Sequence, residues 1–320
     1  MTAAAPLTIV AFALPLGLAL DHPDRRYWLQ AFERLSSKDL LQPLRQAQLL
    51  ERKTLPSTAH SASHETAWAQ ALGWNVSDGL VPLAAWAAHT QGLTCPAQHG
   101  WAFIDAVNWH ISQAQVDLTV PKPITASESD ALLLAMQAFL ADDDIHLHPW
   151  QPGRWLAHSP LFHHLPSVSL DRVNGQRIDA WFAHDSLAHQ QPVLRQLRRL
   201  QNEIQMLFYT HAVNDKRDIA LNSIWFSGTG DLAKDPDAST PPAVVLNDDL
   251  REVWLSQSPD VFIPAFNALV QDLIAPALRR QEQVLLCEPL RSVRLMAPAS
   301  GWVHQLQAWW RQPTLSQVLQ

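Results

Sequence analysis

The sequence predicts an α/β fold, with a mixed and mostly parallel sheet flanked by helices. Two observations carry this. Apolar segments of strand length recur between amphipathic helices along most of the 320 residues. With 47% hydrophobic and 17% charged residues, the chain also has enough apolar material for a sizeable core, which excludes a disordered protein. A chain of this length forms a single large α/β unit over 1–320, or two lobes with the motif-bearing part at 101–230.

Leu7 to Leu14 reads as a buried first strand closed by a Pro15-x-Gly17 turn. Asp24 to Leu35 and Ser37 to Arg52 read as helices, the second capped by Ser37. Helix returns at His64 to Leu72 and Leu80 to His89 after a polar loop, so the first hundred residues are one strand and then mostly helix. The period shortens between Ala102 and Val120, where Val116, Leu118 and Val120 alternate with Asp117 and Thr119. Ser127 with Asp130 marks the start of a helix that runs to Leu140 and ends in an acidic turn, Asp142 to Asp144. Ile145 to Leu170 shows little periodicity, and Val173 to Ile178 predicts a short hairpin about Asn174-Gly175.

Pro192 to His211 is the strongest helix, with Leu194, Leu197, Leu200, Ile204 and Leu207 at three- and four-residue intervals. Asn222 to Gly230 is a strand ending in a Gly-x-Gly turn, followed by a polar loop. Ala243 to Leu246 reads as a short buried strand, Pro259 to Arg280 contains a helix, and Val284 to Cys287 and Val293 to Met296 are strands. A terminal helix is expected from Trp302 to Arg311.

Composition narrows the function classes. The formal charge of −7 removes the broad attraction on which non-specific nucleic-acid binding relies. Cys95 and Cys287 stand alone, with no Cys-x-x-Cys or Cys/His metal spacing, which points to ordinary thiols in a reducing cytosol. The apolar run near the N-terminus lacks a preceding Lys or Arg and is too short to span a bilayer, and no other stretch reaches transmembrane length. These features predict a cytoplasmic protein with no membrane or nucleic-acid partner. Fourteen Trp against 2 Tyr suggest that indole has replaced phenol as core and interface filler.

Eight of the 15 His lie between His146 and His211, which raises the question of a metal site. Strand spacing places His146 and His148 on one face, whereas adjacent His163 and His164 should diverge. With no His-Glu-x-x-His and no calcium loop, no metal ligand is assigned. No nucleophile elbow, phosphate-binding loop or full dinucleotide fingerprint is present either. The strongest local constellation is His211, Asn214 and Arg217, which share a face if the helix continues that far. Imidazole, amide and guanidinium together suit a carboxylate or phosphate, whereas Asp215 or Asp218 would instead make the cluster a cap and ion pair.

The run Leu200 to Arg217, followed by Leu221 to Gly230, resembles the RpfE-type regulatory proteins. These are described as phosphoglycerate-mutase-like through their similarity to cofactor-independent mutases of the alkaline phosphatase superfamily. The matching positions are Asn202, Glu203, Gln205, Met206, His211, Asn214, Arg217, Asn222, Ser223, Trp225, Gly228 and Gly230, with fainter echoes at Trp109-His110 and at Pro152, Arg154 and Trp155. The resemblance implies a ligand-binding set of His211, Asn214, Arg217, Asn222, Gly228, Gly230, Arg154 and His110. Asn202, Glu203, Gln205, Trp225 and Trp155 would form its framework.

Ser227 stands where the family has a second Trp, and the connection from Arg217 to Asn222 is shortened. Catalytic mutases carry an early Asp-Gly metal motif and a later Asp-His-Gly motif, whereas here Asp21-His22 is the only Asp-His pair. The expectation is therefore a cytoplasmic regulatory or ligand-sensing protein that takes a small anionic metabolite, without metal or other cofactor. A protein partner or a second copy is compatible with it. The alternatives are a mutase or phosphatase dependent on a divalent metal, and a structural protein with a Trp-rich interface.

Overall fold

The computed structural model describes residues 6–15, 23–112, 115–178, 181, 191–232, 243–255 and 258–298. The chain divides into two compact units, Met1–Asn75 with Ala238–Gln320, and Val76–Asp237. In chain order the elements begin with β1 (Leu7–Val10), α1 (Arg25–Leu35), α2 (Lys38–Gln46), β2 (Gln48–Thr54) and α3 (Ser63–Ala71). The second unit contains α4 (Leu83–Thr90), β3 (Gly100–Ser112), β4 (Gln115–Thr119), α5 (Ala126–Leu140), β5 (His146–Gln151), β6 (Arg154–Ser159), α6 (Leu170–Val173), α7 (Gln191–Tyr209) and β7 (Ser223–Ser227). The first unit resumes with β8 (Val244–Asn247), α8 (Arg251–Leu255), α9 (Pro259–Leu269), a π turn (Val270–Ile274), α10 (Ala275–Arg279), β9 (Gln283–Cys287) and β10 (Arg291–Met296).

In the first unit the sheet order is β2-β10-β9-β1-β8. β1 runs parallel to β8 and β9, while β10 is antiparallel to β9 and β2. All four residues of β1 are buried, as a central strand covered on both faces requires. Trp28 of α1 meets Phe262 of α9 at 5.7 Å and Phe32 meets Phe266 at 5.9 Å, both edge to face. Ser37 caps α2 as expected, its hydroxyl accepting from the Leu40 N–H at 3.1 Å.

Several boundaries differ from expectation. β1 stops at Val10 because the chain turns at Ala11 and Phe12, the latter at φ 59°. The helix expected through Arg52 ends at Gln46, and Gln48–Thr54 becomes a strand that is exposed along its length. β10 supplies its ladder partners there, so strand pairing overrides the local helical pattern. β8 is a half-exposed strand rather than a buried one, with Val245 open to solvent. Contrary to the expectation that no stretch reaches transmembrane length, the helix Pro259–Arg279 is long and apolar enough to cross a bilayer. Its Phe262, Ile263, Phe266, Val270, Ile274 and Leu278 pack into this unit's core. The expected terminal helix at 302–311 and the Asp21-His22 pair lie outside the described residues.

The second unit has the order β4-β3-β6-β5, with β7 also paired to β3, and every pairing is antiparallel. Among the described strands, parallel ladders are confined to β1 with β8 and β9, beside one isolated parallel bridge from Leu118 to Asn174, which corrects the mostly parallel sheet. The physical reason is connection length: Pro152 and Gly153 alone join β5 to β6, and two residues connect only antiparallel strands. This hairpin occupies the stretch read as lacking periodicity. α5 starts with a capping box of Thr125 and Glu128 instead of Ser127 and Asp130; the Glu128 carboxylate accepts from the Thr125 N–H at 2.7 Å. Val173 to Ile178 is not a hairpin but follows the single turn of α6 and bridges onto Leu118 and Asp117. Leu132, Met136 and Leu140 of α5 and Leu197, Leu200, Ile204 and Phe208 of α7 cover one sheet face.

Candidate functional site

α7 ends at Tyr209, so His211, Asn214 and Arg217 do not share a helix face. His211 opens a 3-10 turn, and its Nδ1 accepts from the Val213 N–H at 3.2 Å. The Asn214 amide is consumed locally, donating to the carbonyls of Phe208 and Leu221 and accepting from the Leu221 N–H. Arg217 donates to the Lys122 carbonyl. Asn222 pairs both ways with the backbone of Trp109, at 2.6 and 2.9 Å, so it extends the sheet edge.

Arg154 lies over the Phe103 ring, 4.4 Å from its centroid, and its Nε stands 2.8 Å from buried Asp105. His110 is exposed on β3, opposite Asp117 in the β4 register. Gly228 and Gly230 adopt φ 66° and 142°. The Gly228 carbonyl accepts from Ala84, and a Cβ on Gly230 would collide with the Leu80 carbonyl. The two glycines thus let the turn pack closely on the 80–84 segment. Among the framework positions, Trp155 is fully buried and the Trp225 indole donates to the Val168 carbonyl at 2.9 Å. Asn202, Glu203 and Gln205 lie on the more open side of α7.

One face of the antiparallel sheet gathers a different set. His146, His148 and Trp150 alternate along β5, Arg154, Leu156 and His158 along β6, and Trp101, Phe103 and Asp105 along β3. The period of two places each group on a common side. His146 stacks on His158 at 4.8 Å, and His148 and Trp101 approach the same ring. His99 and His158 bring their Nδ1 atoms to 3.1 Å, so one of the pair carries the proton between them. Asp144 faces His146 Nε2 at 2.8 Å. Burial, then the neighbouring histidines, push His158 down from 6.5 to about 4, and burial lowers His148 as well. His158 is therefore neutral at physiological pH.

A small, largely apolar pocket lies between α7 and β7. Leu165, Trp181, Leu194, Leu197, Gln201 and Trp225 are among the residues lining it. Gln201 is almost fully buried; its Nε2 donates to the Ile224 carbonyl at 2.9 Å, which fixes the amide orientation and leaves Oε1 without a hydrogen bond. The Arg172 guanidinium stands over Trp181, 5.3 Å from the ring centroid. Sequence reasoning passed over Gln201, although a glutamine in register with Leu194 and Leu197 on the buried face of a helix was the available signal.

The adjacent histidines also depart from expectation. His163 and His164 do not diverge but bring their rings to 3.9 Å, and both face Asp231 at the end of the Gly228–Gly230 turn.

No protein-family model and no curated protein sequence matches this chain. Among the solved structures similar to it are two of low identity. The PH0037 protein from Pyrococcus horikoshii aligns over 92% of this chain and 88% of its own, at 10% identity and a TM-score of 0.42. A cofactor-independent phosphoglycerate mutase from Thermoplasma acidophilum aligns over 98% of this chain and 95% of its own, at 9% identity and a TM-score of 0.33. Both likenesses concern fold alone and assign no residue a role.

Proposed function

We propose that this chain is a cytoplasmic regulatory or ligand-sensing protein, phosphoglycerate-mutase-like in ancestry, that binds a small carboxylate-bearing metabolite without turning it over. The observation that carries this reading is the pocket between α7 and β7. Its leucine and tryptophan walls suit a small apolar body. Gln201 Oε1 offers an acceptor for a donor on the ligand. We assign the carboxylate to Arg172, a buried guanidinium that stands over the pocket-lining Trp181 ring. The anionic ligand expected at His211, Asn214 and Arg217 is thus assigned to another part of the same unit.

Tryptophan fluorescence and calorimetry with a panel of short aromatic and branched carboxylates, and with 3-phosphoglycerate, test the proposal. The expected result is saturable binding of a panel member. Leu194→Trp, which fills the pocket, should abolish it, and Arg172→Met should weaken acids more than the matching amides. Binding untouched by Leu194→Trp, no binding by any panel member, or turnover of phosphoglycerate with added Mn²⁺ would each overturn it.

A further inference from the structure

We propose that His163, His164 and Asp231 bind a single divalent transition-metal ion of nitrogen and oxygen preference, with Zn²⁺ as the representative. The site is separate from the pocket above and does not depend on it. Each residue offers one ligand atom, and the three atoms lie within 4.8 Å of one another. Ligand atoms of a tetrahedral Zn²⁺ at ~2.1 Å stand ~3.4 Å apart, so small rotations of the side chains complete the set. Two imidazoles and one carboxylate suit Zn²⁺, Fe²⁺, Co²⁺ or Ni²⁺ better than Mg²⁺ or Ca²⁺, which favour oxygen alone.

Ion pairing alone accounts poorly for the arrangement. Asp231 Oδ1 is 3.5 Å from His163 Nδ1, and the other carboxylate oxygen meets His164 Nδ1. At 3.5 Å the His163 contact is too long for a good hydrogen bond. His163 Nδ1 is shielded from solvent and makes no hydrogen bond. A cation between the three groups satisfies that nitrogen and takes imidazole as ligand.

The backbone holds the three residues in place before any ion arrives. His164 adopts φ 51°, a left-handed conformation that costs a non-glycine residue free energy. Gly100 packs so closely on the Phe162 and His163 backbone that no Cβ would fit. Thr229, in the turn before Asp231, is fully buried; its hydroxyl reaches the Leu165 carbonyl and Ser167 Oγ, the latter at 2.7 Å. The strand that delivers the carboxylate is thereby tied to the segment that delivers the imidazoles. The side chains retain 37%, 67% and 35% exposure, which leaves room for water in the remaining coordination positions.

The test is calorimetric titration of the full chain, stripped with chelator, with ZnCl₂, alongside Co²⁺ absorption spectra. One equivalent should bind. His164→Asn and Asp231→Asn should each weaken binding roughly tenfold or more, whereas His146→Asn with His148→Asn should leave it unchanged. Wild-type protein that binds no metal, or variants that bind as tightly as wild type, would overturn the proposal. Should a variant fail to fold, histidine ring signals of the wild type still decide. Paramagnetic shifts from Co²⁺ on His163 and His164 support the site, and shifts on His99, His146 and His158 instead refute it.

Discussion

In the first unit the central strand β1 buries Leu7, Thr8, Ile9 and Val10 in succession, and its neighbour β9 is almost as dry. In the second unit one sheet face is equally apolar under α5 and α7, but the other carries histidine, tryptophan, an arginine and an aspartate. The difference follows from how the strands are covered. Parallel strands joined by helical crossovers are enclosed on both faces, and a polar side chain there has no partner. Antiparallel strands joined by short turns leave edges and faces partly open, where polar groups can find each other. Among the described residues, the histidine-rich sheet face lies in the unit with the antiparallel sheet.

The largest effects test whether both units rest on aromatic cores. Phe266→Ala in the first and Trp155→Ala in the second should each cost about 3–5 kcal/mol of unfolding free energy, since both rings are fully buried. Denaturant titration should show each variant lowering the transition of its own unit; equal melting of wild type and Trp155→Ala would contradict this packing.

Asp105 sharpens the contrast, because its charge on the polar face is buried and paired with Arg154. Asp105→Ala leaves Arg154 without its carboxylate and should destabilise by about 2–4 kcal/mol. The double variant with Arg154→Met should recover much of the loss, and additive losses would argue against a coupled pair. A smaller effect is expected at the α5 cap. Thr125→Ala should cost about 1 kcal/mol, measured in the same way.

At neutral pH the smallest effect belongs to His158, and it grows in acid. Its folded state resists protonation until about pH 4, whereas the unfolded chain takes up the proton near 6.5. Between these values the unfolded state binds more protons, so stability falls as pH drops from 6.5 towards 4 and is unaffected above that window. His158→Leu should flatten this limb of the stability profile. A limb identical to that of wild type would place the acid sensitivity elsewhere.

Much of the fold was legible in periodicity. α1, α7 and the strands at Ser223–Ser227 and Gln283–Cys287 fell where apolar spacing placed them, because burial of one face is recorded locally. β2 was not legible, since its strand character comes from β10, some 240 residues away in sequence. The β5–β6 hairpin was hidden for another reason. His146, His148, Arg154 and His158 do alternate, but polar residues alternating with apolar ones on a partly covered face leave a weak hydrophobic signal. The site suffered most where local spacing was extended past a helix end: Asn214 and Arg217 recur as on a helix, yet α7 stops at Tyr209 and both turn to backbone carbonyls.

Composition and periodicity by themselves determined a mixed α/β chain with a substantial core, a histidine-rich middle and a glycine turn after an apolar strand. Tertiary structure alone decided which polar residues meet. His163 and His164 share a direction only because of a left-handed backbone at His164, and Asp231 reaches them only through the turn that Thr229 anchors. Gln201 became a pocket residue because its amide nitrogen found the Ile224 carbonyl across the core. Local pattern records which face of an element is buried, whereas convergence of side chains from distant segments depends on turns and packing that no short window contains.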